Sequence, residues 1–299
     1  MAETLTTVRN PLELREACDS VRKSGQIGFV PTMGALHEGH LSLVRGARAR
    51  ADFVVASIFV NPTQFGPNED FERYPRDEGG DMKKLASAGA SLLFAPDTNA
   101  MYAAGEETRV RVGALAEHLC GPFRPGHFEG VATIVAKLFG LVGESVAVFG
   151  RKDYQQLRIL QRIATDLFFP VEVVGMPIVR EADGVAMSSR NAYLSPADRE
   201  RARGLSAGLS HAWREFEKGE RDAETLRNAA LTEVMQVADR IDYVSVVDAD
   251  SLQPIAEKIG ARALVAIACH IGKTRLIDNV VLGEDPDPRA SVDAHGGEG

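Results

Sequence analysis

Val30-Pro-Thr-Met-Gly-Ala-Leu-His-Glu-Gly-His-Leu-Ser-Leu-Val44 is the stretch on which the reading of this chain turns. It follows an apolar run, Ile27 to Val30, that reads as a buried strand. It opens a helical pattern with Leu41, Val44 and Ala47 on one face. Pro31 cannot extend a sheet ladder, so the strand is expected to stop there. Gly34 lets the backbone come close to a ligand, and Gly39 leaves room where a side chain would block it. His37 and His40 stand three apart and share one face of the first helical turn. Free amides and the helix dipole at that turn favour a polyphosphate, and two imidazoles can donate to the same oxygens. A bare H-x-x-H also describes a helix start with two incidental surface histidines. Zinc is a third reading, but the helical zinc pattern sets its histidines four apart with a glutamate beside the first. Strand, turn glycine and helix-start histidines together favour nucleotide phosphate.

Outward from this stretch, residues 12 to 24 read as an amphipathic helix closed by Gly25. Phe53 to Val60 is a second apolar strand, stopped by Asn61-Pro62, and its lack of alternation suggests a parallel sheet covered on both faces. A helix over 81–88 and strands over 91–95, 146–149 and 171–179 are expected, the last bent at Gly175 or Pro177. Helices are expected over 131–142 and from Gly150 to about Leu167. Strand alternating with helix is the rhythm of a doubly wound, Rossmann-like α/β domain, placed at 1–183. From Asp183 the texture changes. Helices near 197–218 and 222–239 and strands at 243–247, 263–271 and 275–282 predict a smaller α+β domain over 184–283. The stretch 284–299 lacks an aliphatic run and reads as a disordered tail.

At 299 residues the chain can bury a sizeable core, and 44% hydrophobic with 25% charged residues is ordinary for a soluble globular protein. The net charge of −8 argues against a nucleic-acid partner, because no basic surplus neutralises a phosphate backbone. Cys18, Cys120 and Cys269 are dispersed and odd in number, which predicts neither a disulfide framework nor a metal cluster and points to a reducing cytoplasm. The N-terminus carries Glu3 and no long apolar core, so no signal peptide is expected, and no run is long enough to span a membrane.

Loops after parallel strands lie at the carboxyl edge of the sheet, where such folds bind ligands. Four qualify: 31–40, 61–76, 150–156 and 180–191. Asn61 and Gln64, beside Phe65, are neutral hydrogen-bonding groups suited to orienting a small hydroxy acid, although Asn-Pro is also a common turn opener. Lys152 and Asp153 sit where a strand passes into a helix, within reach of phosphate oxygens. Met187-Ser-Ser-Arg190 offers two hydroxyls and a guanidinium to phosphates, or is an ordinary interdomain linker. Asp81 is a candidate for placing Mg²⁺, against the reading that an aspartate in a first helical turn serves the dipole alone.

His37-Glu38-Gly39-His40 resembles the HIGH-type motif shared by class I aminoacyl-tRNA synthetases and nucleotidylyltransferases. The longer Pro31 to His40 is narrower and resembles the pantothenate synthetase family, ATP-dependent ligases that join pantoate to β-alanine. Asn61-Pro-Thr-Gln-Phe65, Tyr74-Pro-Arg76, Arg124-Pro-Gly-His-Phe128 and Gly130-Val131 resemble that family's pantoate-pocket stretches, and Arg275-Leu-Ile-Asp-Asn279 one in its C-terminal domain. Gly150-Arg-Lys-Asp-Tyr-Gln-Gln156 is similar to a family motif with glutamate where Arg151 stands, which implies that this position meets ATP mainly through its backbone. Met187 to Arg190 resembles the superfamily's mobile KMSKS-type loop, with arginine for the final lysines.

The resemblance implies a two-step reaction through pantoyl adenylate, with His37, His40 and Lys152 as the catalytic groups. It implies ATP contacts at Met33, Gly34, Ala35, Leu36, His37, Glu38, Gly39 and His40, at Gly150, Arg151, Lys152 and Asp153, and at Val179, Met187, Ser188, Ser189 and Arg190. Gln64 and Gln156 are implied for pantoate, Gln64 also for β-alanine, with Mg²⁺ accompanying ATP and a homodimer as the assembly. A nucleotidylyltransferase, or a non-catalytic nucleotide-binding module, is the competing expectation.

Overall fold

The computed structural model describes residues 5–67 and 69–290. Its contacts divide the chain into two compact units. One comprises Met1–Ala116, Arg124–Arg151 and Gln156–Pro177, the other Glu117–Phe123, Lys152–Gln155 and Ile178–Gly299.

The first unit is built on β1 (Thr6–Val8), α1 (Pro11–Val21), β2 (Ile27–Thr32), α2 (Glu38–Arg48), β3 (Phe53–Ile58), α3 (Glu78–Ala88), β4 (Leu92–Phe94), α4 (Thr98–Met101), α5 (His127–Val142), β5 (Ser145–Gly150), α6 (Tyr154–Asp166, from Gln156 onward) and β6 (Val171–Met176). Six parallel strands form one sheet in the order β1-β4-β3-β2-β5-β6. The apolar runs on β2, β3 and β5 are buried without alternation, as expected when helices cover both faces. From β2 the chain steps outward through β3 to β4, whereas β5 and β6 lie on the other side of β2. Strand order therefore reverses between β2 and β5, and the crevice beyond their carboxyl ends is where such sheets bind ligands.

Pro31 does not end the strand. β2 runs to Thr32 in register with β3, pairing Pro31 with Ser57 and Thr32 with Ile58. Its ladder with β5 stops at Phe29, two residues earlier, so the missing proline N–H leaves no gap on that side. β1 is not legible in the sequence, because three residues at a sheet edge carry no measurable period. α5 starts at His127, a turn before the apolar run at Val131, and β6 ends at Met176, one residue before Pro177.

The second unit pairs α7 (Pro196–Glu217) and α8 (Ala223–Val237) with an antiparallel sheet of β7 (Arg240–Val247), β8 (Ala263–Ile271) and β9 (Thr274–Leu282). Ser195 caps α7 by accepting the Asp198 N–H at 3.1 Å, with Pro196 at the first helical position. Leu205, Leu209, Leu226 and Val234 of the helices pack against Val265, Ile267 and Val280 of the sheet. The expected tail meets the structure over 284–290 only. There the chain is held: Trp213 Nε1 donates to Asp285 O at 2.9 Å, and Ser210 Oγ to Asp287 Oδ1 at 2.6 Å. Residues 291–299 of that expectation lie outside the described residues. No helix among the described residues is long and apolar enough to cross a membrane.

Candidate active site

The turn from β2 to α2 sits at the switch point of the first unit's sheet. Gly34 (φ 82°) and Ala35 (φ 50°) both take left-handed backbone, so the chain reverses sharply after Met33. Thr32 Oγ1 stabilises the turn by donating to Ser57 O at 2.8 Å and accepting from Gly34 N at 3.1 Å. Leu36 N–H donates to Asp81 Oδ1 at 2.8 Å, and Lys84 Nζ donates to Leu36 O at 2.7 Å. His37 is the N-cap of α2, and its backbone N–H reaches His40 Nδ1 at 3.4 Å. Because that nitrogen accepts, a neutral His40 carries its proton on Nε2, which is then a donor. The two half-buried imidazoles lie 4.1 Å apart between ring centres.

Asp81 is 1% exposed, and its first task is to position this turn rather than merely to serve the α3 dipole. Its other oxygen, Oδ2, is buried without a hydrogen-bond partner among the described residues and lies against Gly34, where an added Cβ would stand 3.1 Å away. A carboxylate oxygen at the predicted phosphate turn fits a nucleotide-borne Mg²⁺, which needs only one or two protein carboxylates. Among the described residues no group of three or more His, Cys, Asp or Glu side chains is placed to hold a metal by itself.

Beside the turn, Pro62–Gln64 forms a 3-10 turn after β3, capped by Asn61. Asn61 is 1% exposed and saturated by the protein. Its Nδ2 donates to Gln64 Oε1 and Gly130 O, each at 3.1 Å, and its Oδ1 accepts from Thr63 Oγ1 at 2.9 Å and Tyr102 Oη at 2.8 Å. Asn61 is thus a positioning residue. By occupying Gln64 Oε1 it turns Gln64 Nε2 toward Met33 Sδ, at 2.9 Å. The predicted hydroxy-acid loop and the predicted phosphate turn meet at that contact. Burial pushes the Tyr102 phenol up, so it stays a donor at neutral pH.

Arg124 and His127 fasten this loop to α5. Arg124 forms a two-pronged pair with Glu69 at 2.7 and 2.6 Å and reaches His127 Nε2 at 2.9 Å. Arginine only donates, so His127 accepts there and donates through Nδ1 to Gln64 O at 2.8 Å. Burial pushes the Glu69 carboxyl up, but the hydrogen bond and charge of Arg124 outweigh it and hold Glu69 below its ordinary range. Arg76 ties the loop from within, donating to the carbonyls of Phe71 and Tyr74 at 3.1 Å each.

After β5, Gly150 and Arg151 remain in the first unit. The stem of Arg151 lies against β6, 3.1 Å from where a Cβ on Gly175 would stand. Gln155 and Gln156 have separate roles. The carboxamide of Gln155 accepts from Cys120 N at 2.9 Å and donates to His118 O at 2.7 Å, whereas Gln156 is half-buried.

The second unit holds Lys152, Asp153, Val179 and Met187 to Arg190. Lys152 lies in a 3-10 turn, and its carbonyl accepts from Asn279 Nδ2 at 2.8 Å. Met187 N–H donates to Val179 O at 3.0 Å, closing a hairpin bridged at Arg180 and Ala186. Ser188 Oγ accepts from Arg190 N at 3.3 Å and caps the short turn Ser189–Tyr193. Tyr102 is not legible in the sequence, because it sits in an aperiodic stretch and its partner Asn61 is 41 residues away.

The sequence matches the pantoate-beta-alanine ligase family over residues 6–281. It is 51% identical to pantothenate synthetase 1 of Bradyrhizobium diazoefficiens over 275 residues, 92% of this chain and 97% of that protein. It is 53% identical to the pantothenate synthetase of Heliobacterium modesticaldum over 266 residues, 88% of this chain and 94% of the other. Among solved structures, the pantothenate synthetase of Thermus thermophilus superposes with a TM-score of 0.87 at 47% identity, covering 92% of this chain and 99% of its own. The pantoate-beta-alanine ligase of Francisella tularensis, complexed with "Beta-gamma ATP and Beta-alanine", gives 0.75 at 33% identity, covering 95% and 99%.

Proposed function

The chain belongs to the pantoate–β-alanine ligase family, and from that premise we propose which of its residues carry each step. It is an ATP-dependent ligase that condenses pantoate with β-alanine to give pantothenate. In the first step the pantoate carboxylate attacks the α-phosphorus of ATP, and the bond to the β-phosphate oxygen breaks. Pantoyl adenylate and pyrophosphate result. In the second, the amine of β-alanine attacks the acyl carbon, and AMP leaves. No base is needed in step one, because a carboxylate is already a nucleophile.

His37 and His40 donate to the phosphate oxygens as charge builds on them, with His40 Nε2 oriented by the hydrogen bond at its Nδ1. Met33 to Gly39, Gly150, Arg151, Asp153 and Val179 contact the nucleotide, and Lys152, Ser188, Ser189 and Arg190 serve its phosphates. Gln64 Nε2 and Gln156 orient pantoate, and Gln64 also meets β-alanine. Mg²⁺ entering with ATP would offset phosphate charge, and Asp81 Oδ2 is the chain's own atom for holding it. The Francisella complex supports ATP and β-alanine as ligands of this fold. Three free, buried cysteines support a cytoplasmic setting. A homodimer rests on the family resemblance.

One observation carries the adenylate reading: the His37–His40 turn meets the Asn61–Gln64 carboxamide pair through Met33, and this contact supports a phosphate site beside a small-acid site. Labelled pyrophosphate is therefore expected to exchange into ATP when pantoate is present and β-alanine is absent, and omitting pantoate abolishes the exchange. Accumulation of ADP without exchange would replace the adenylate by an acyl phosphate. Exchange that ignores pantoate and needs a phosphorylated acceptor would mark a nucleotidylyltransferase.

A further inference from the structure

Arg275-Leu-Ile-Asp-Asn279 on β9 has no part in the steps above, yet its last two residues are placed unusually. Asp278 is 3% exposed and Asn279 5%, two polar side chains in succession inside a strand. Burying such groups is costly unless each is well bonded. Asp278 receives the fork of Arg180, Nη1 to Oδ2 at 2.7 Å and Nη2 to Oδ1 at 3.0 Å. The same Arg180 Nη1 donates to Gly184 O at 3.1 Å, so one guanidinium ties the 180–186 hairpin to β9. That hairpin delivers Met187. On its other side Asn279 Nδ2 donates to the Lys152 carbonyl at 2.8 Å. The two residues are themselves joined, with Asn279 N donating to Asp278 Oδ1 at 2.8 Å.

We infer that Asn279 is a positioning residue for ATP, setting the turn that carries Lys152, while its neighbour Asp278 sets the base of the 187–190 loop through Arg180. One dipeptide thereby registers both phosphate-handling segments of the second unit against the same strand. The inference rests on the assignment of Lys152 to ATP. Asparagine is required at 279 because the partner is a carbonyl: only a donor satisfies it, and an aspartate of equal size has none at that point.

The test is steady-state kinetics on the full chain with Asn279→Ala, Lys152→Ala and the double variant, with thermal melts alongside. Losing the donor while its acceptor stays buried is expected to lower kcat/KM for ATP by about tenfold. The Michaelis constant for pantoate stays within about twofold. If Asn279 acts through Lys152, the double variant is no worse than Lys152→Ala by more than about twofold. A further tenfold fall in the double variant overturns the inference, as does unchanged ATP kinetics in Asn279→Ala beside an impaired Lys152→Ala. Normal ATP kinetics in Lys152→Ala would instead remove the underlying assignment, and the inference with it. Should the alanine variant fail to melt cooperatively, Asn279→Asp removes the donor without opening a cavity and is read by the same criteria.

Discussion

Replacing Gly130 by alanine puts a methyl group where the backbone of another segment already lies. A Cβ on Gly130 would stand 2.3 Å from Thr63 O, 2.5 Å from Thr63 C and 2.7 Å from Gln64 N. Ordinary contact begins near 3.4 Å, so the 61–64 turn or α5 has to retreat by about 1 Å. No flexible side chain can absorb that shift, because all three of these neighbours are main chain. The bonds at stake are Asn61 Nδ2 to Gly130 O at 3.1 Å and His127 Nδ1 to Gln64 O at 2.8 Å, which hold the turn on α5. Overpacking of this kind costs about 1–3 kcal/mol. At about 2–4 °C per kcal/mol for a unit of this size, Tm falls by roughly 2–12 °C. The larger effect is on the reaction: moving the Gln64 carboxamide by about 1 Å is expected to lower kcat/KM for pantoate by about 10²-fold. Pantoate-dependent pyrophosphate exchange reads the second quantity and a thermal melt the first. Gly113→Ala, whose Cβ would meet nothing within 4 Å, is the control for both. A Gly130→Ala enzyme with the parent's pantoate dependence and a Tm within about 1 °C would mean that the turn moves at no cost and that Gly130 does not hold Gln64 in place.

His40→Ala is expected to lower kcat by about 10²- to 10³-fold while changing pantoate binding little, and near-normal turnover would remove His40 from the chemistry. Amide exchange over Met187 to Arg190 should slow when ATP binds, because the proposed partners of these residues are phosphates. Exchange already slow without nucleotide and unaltered by ATP would contradict that assignment. Glu69 supplies a pH test. Its carboxyl is held below the ordinary value of 4.5, so its contribution to stability is complete above that pH and is lost as pH falls through the folded-state value. The Tm deficit of Glu69→Gln should therefore be largest near neutrality and shrink on acidification below 4.5, and a deficit constant down to about pH 3 would exclude the Arg124 pairing as its source.

Much of the architecture was legible because it depends on neighbours along the chain. Ile27 to Val30 and Phe53 to Ile58 show no polar alternation, and a strand buried on both faces needs none. The spacing of His37 and His40 and the glycine at 34 are likewise local, and the structure sets His37 at the N-cap of α2 and His40 in its first turn, their rings 4.1 Å apart, with Gly34 in left-handed backbone. Ser195-Pro196 marked the start of α7 by the same kind of rule. Pro31 misled for an instructive reason. A proline breaks a ladder only where a neighbouring strand needs its N–H, and the sequence does not say where β5 stops pairing.

Spacing and residue type along the chain are enough for the set of segments and for the family that such a set identifies. Which side chains find partners far along the chain depends on the folded arrangement. Asn61 and Gln64 look alike in the sequence, yet the first is consumed by Gly130, Thr63 and Tyr102, and the second is turned toward Met33 as a result. Asp81 reads as one more acid in a helix's first turn until Leu36, 45 residues earlier, donates to it. Asn279 meets the Lys152 carbonyl across 127 residues. Periodicity and capping follow from atoms a few residues apart. A hydrogen bond across a fold depends on how strands are ordered and how closely other segments approach, and for Asn61 the approach of α5 to the 61–64 turn is set by Gly130, which has no room for a methyl group.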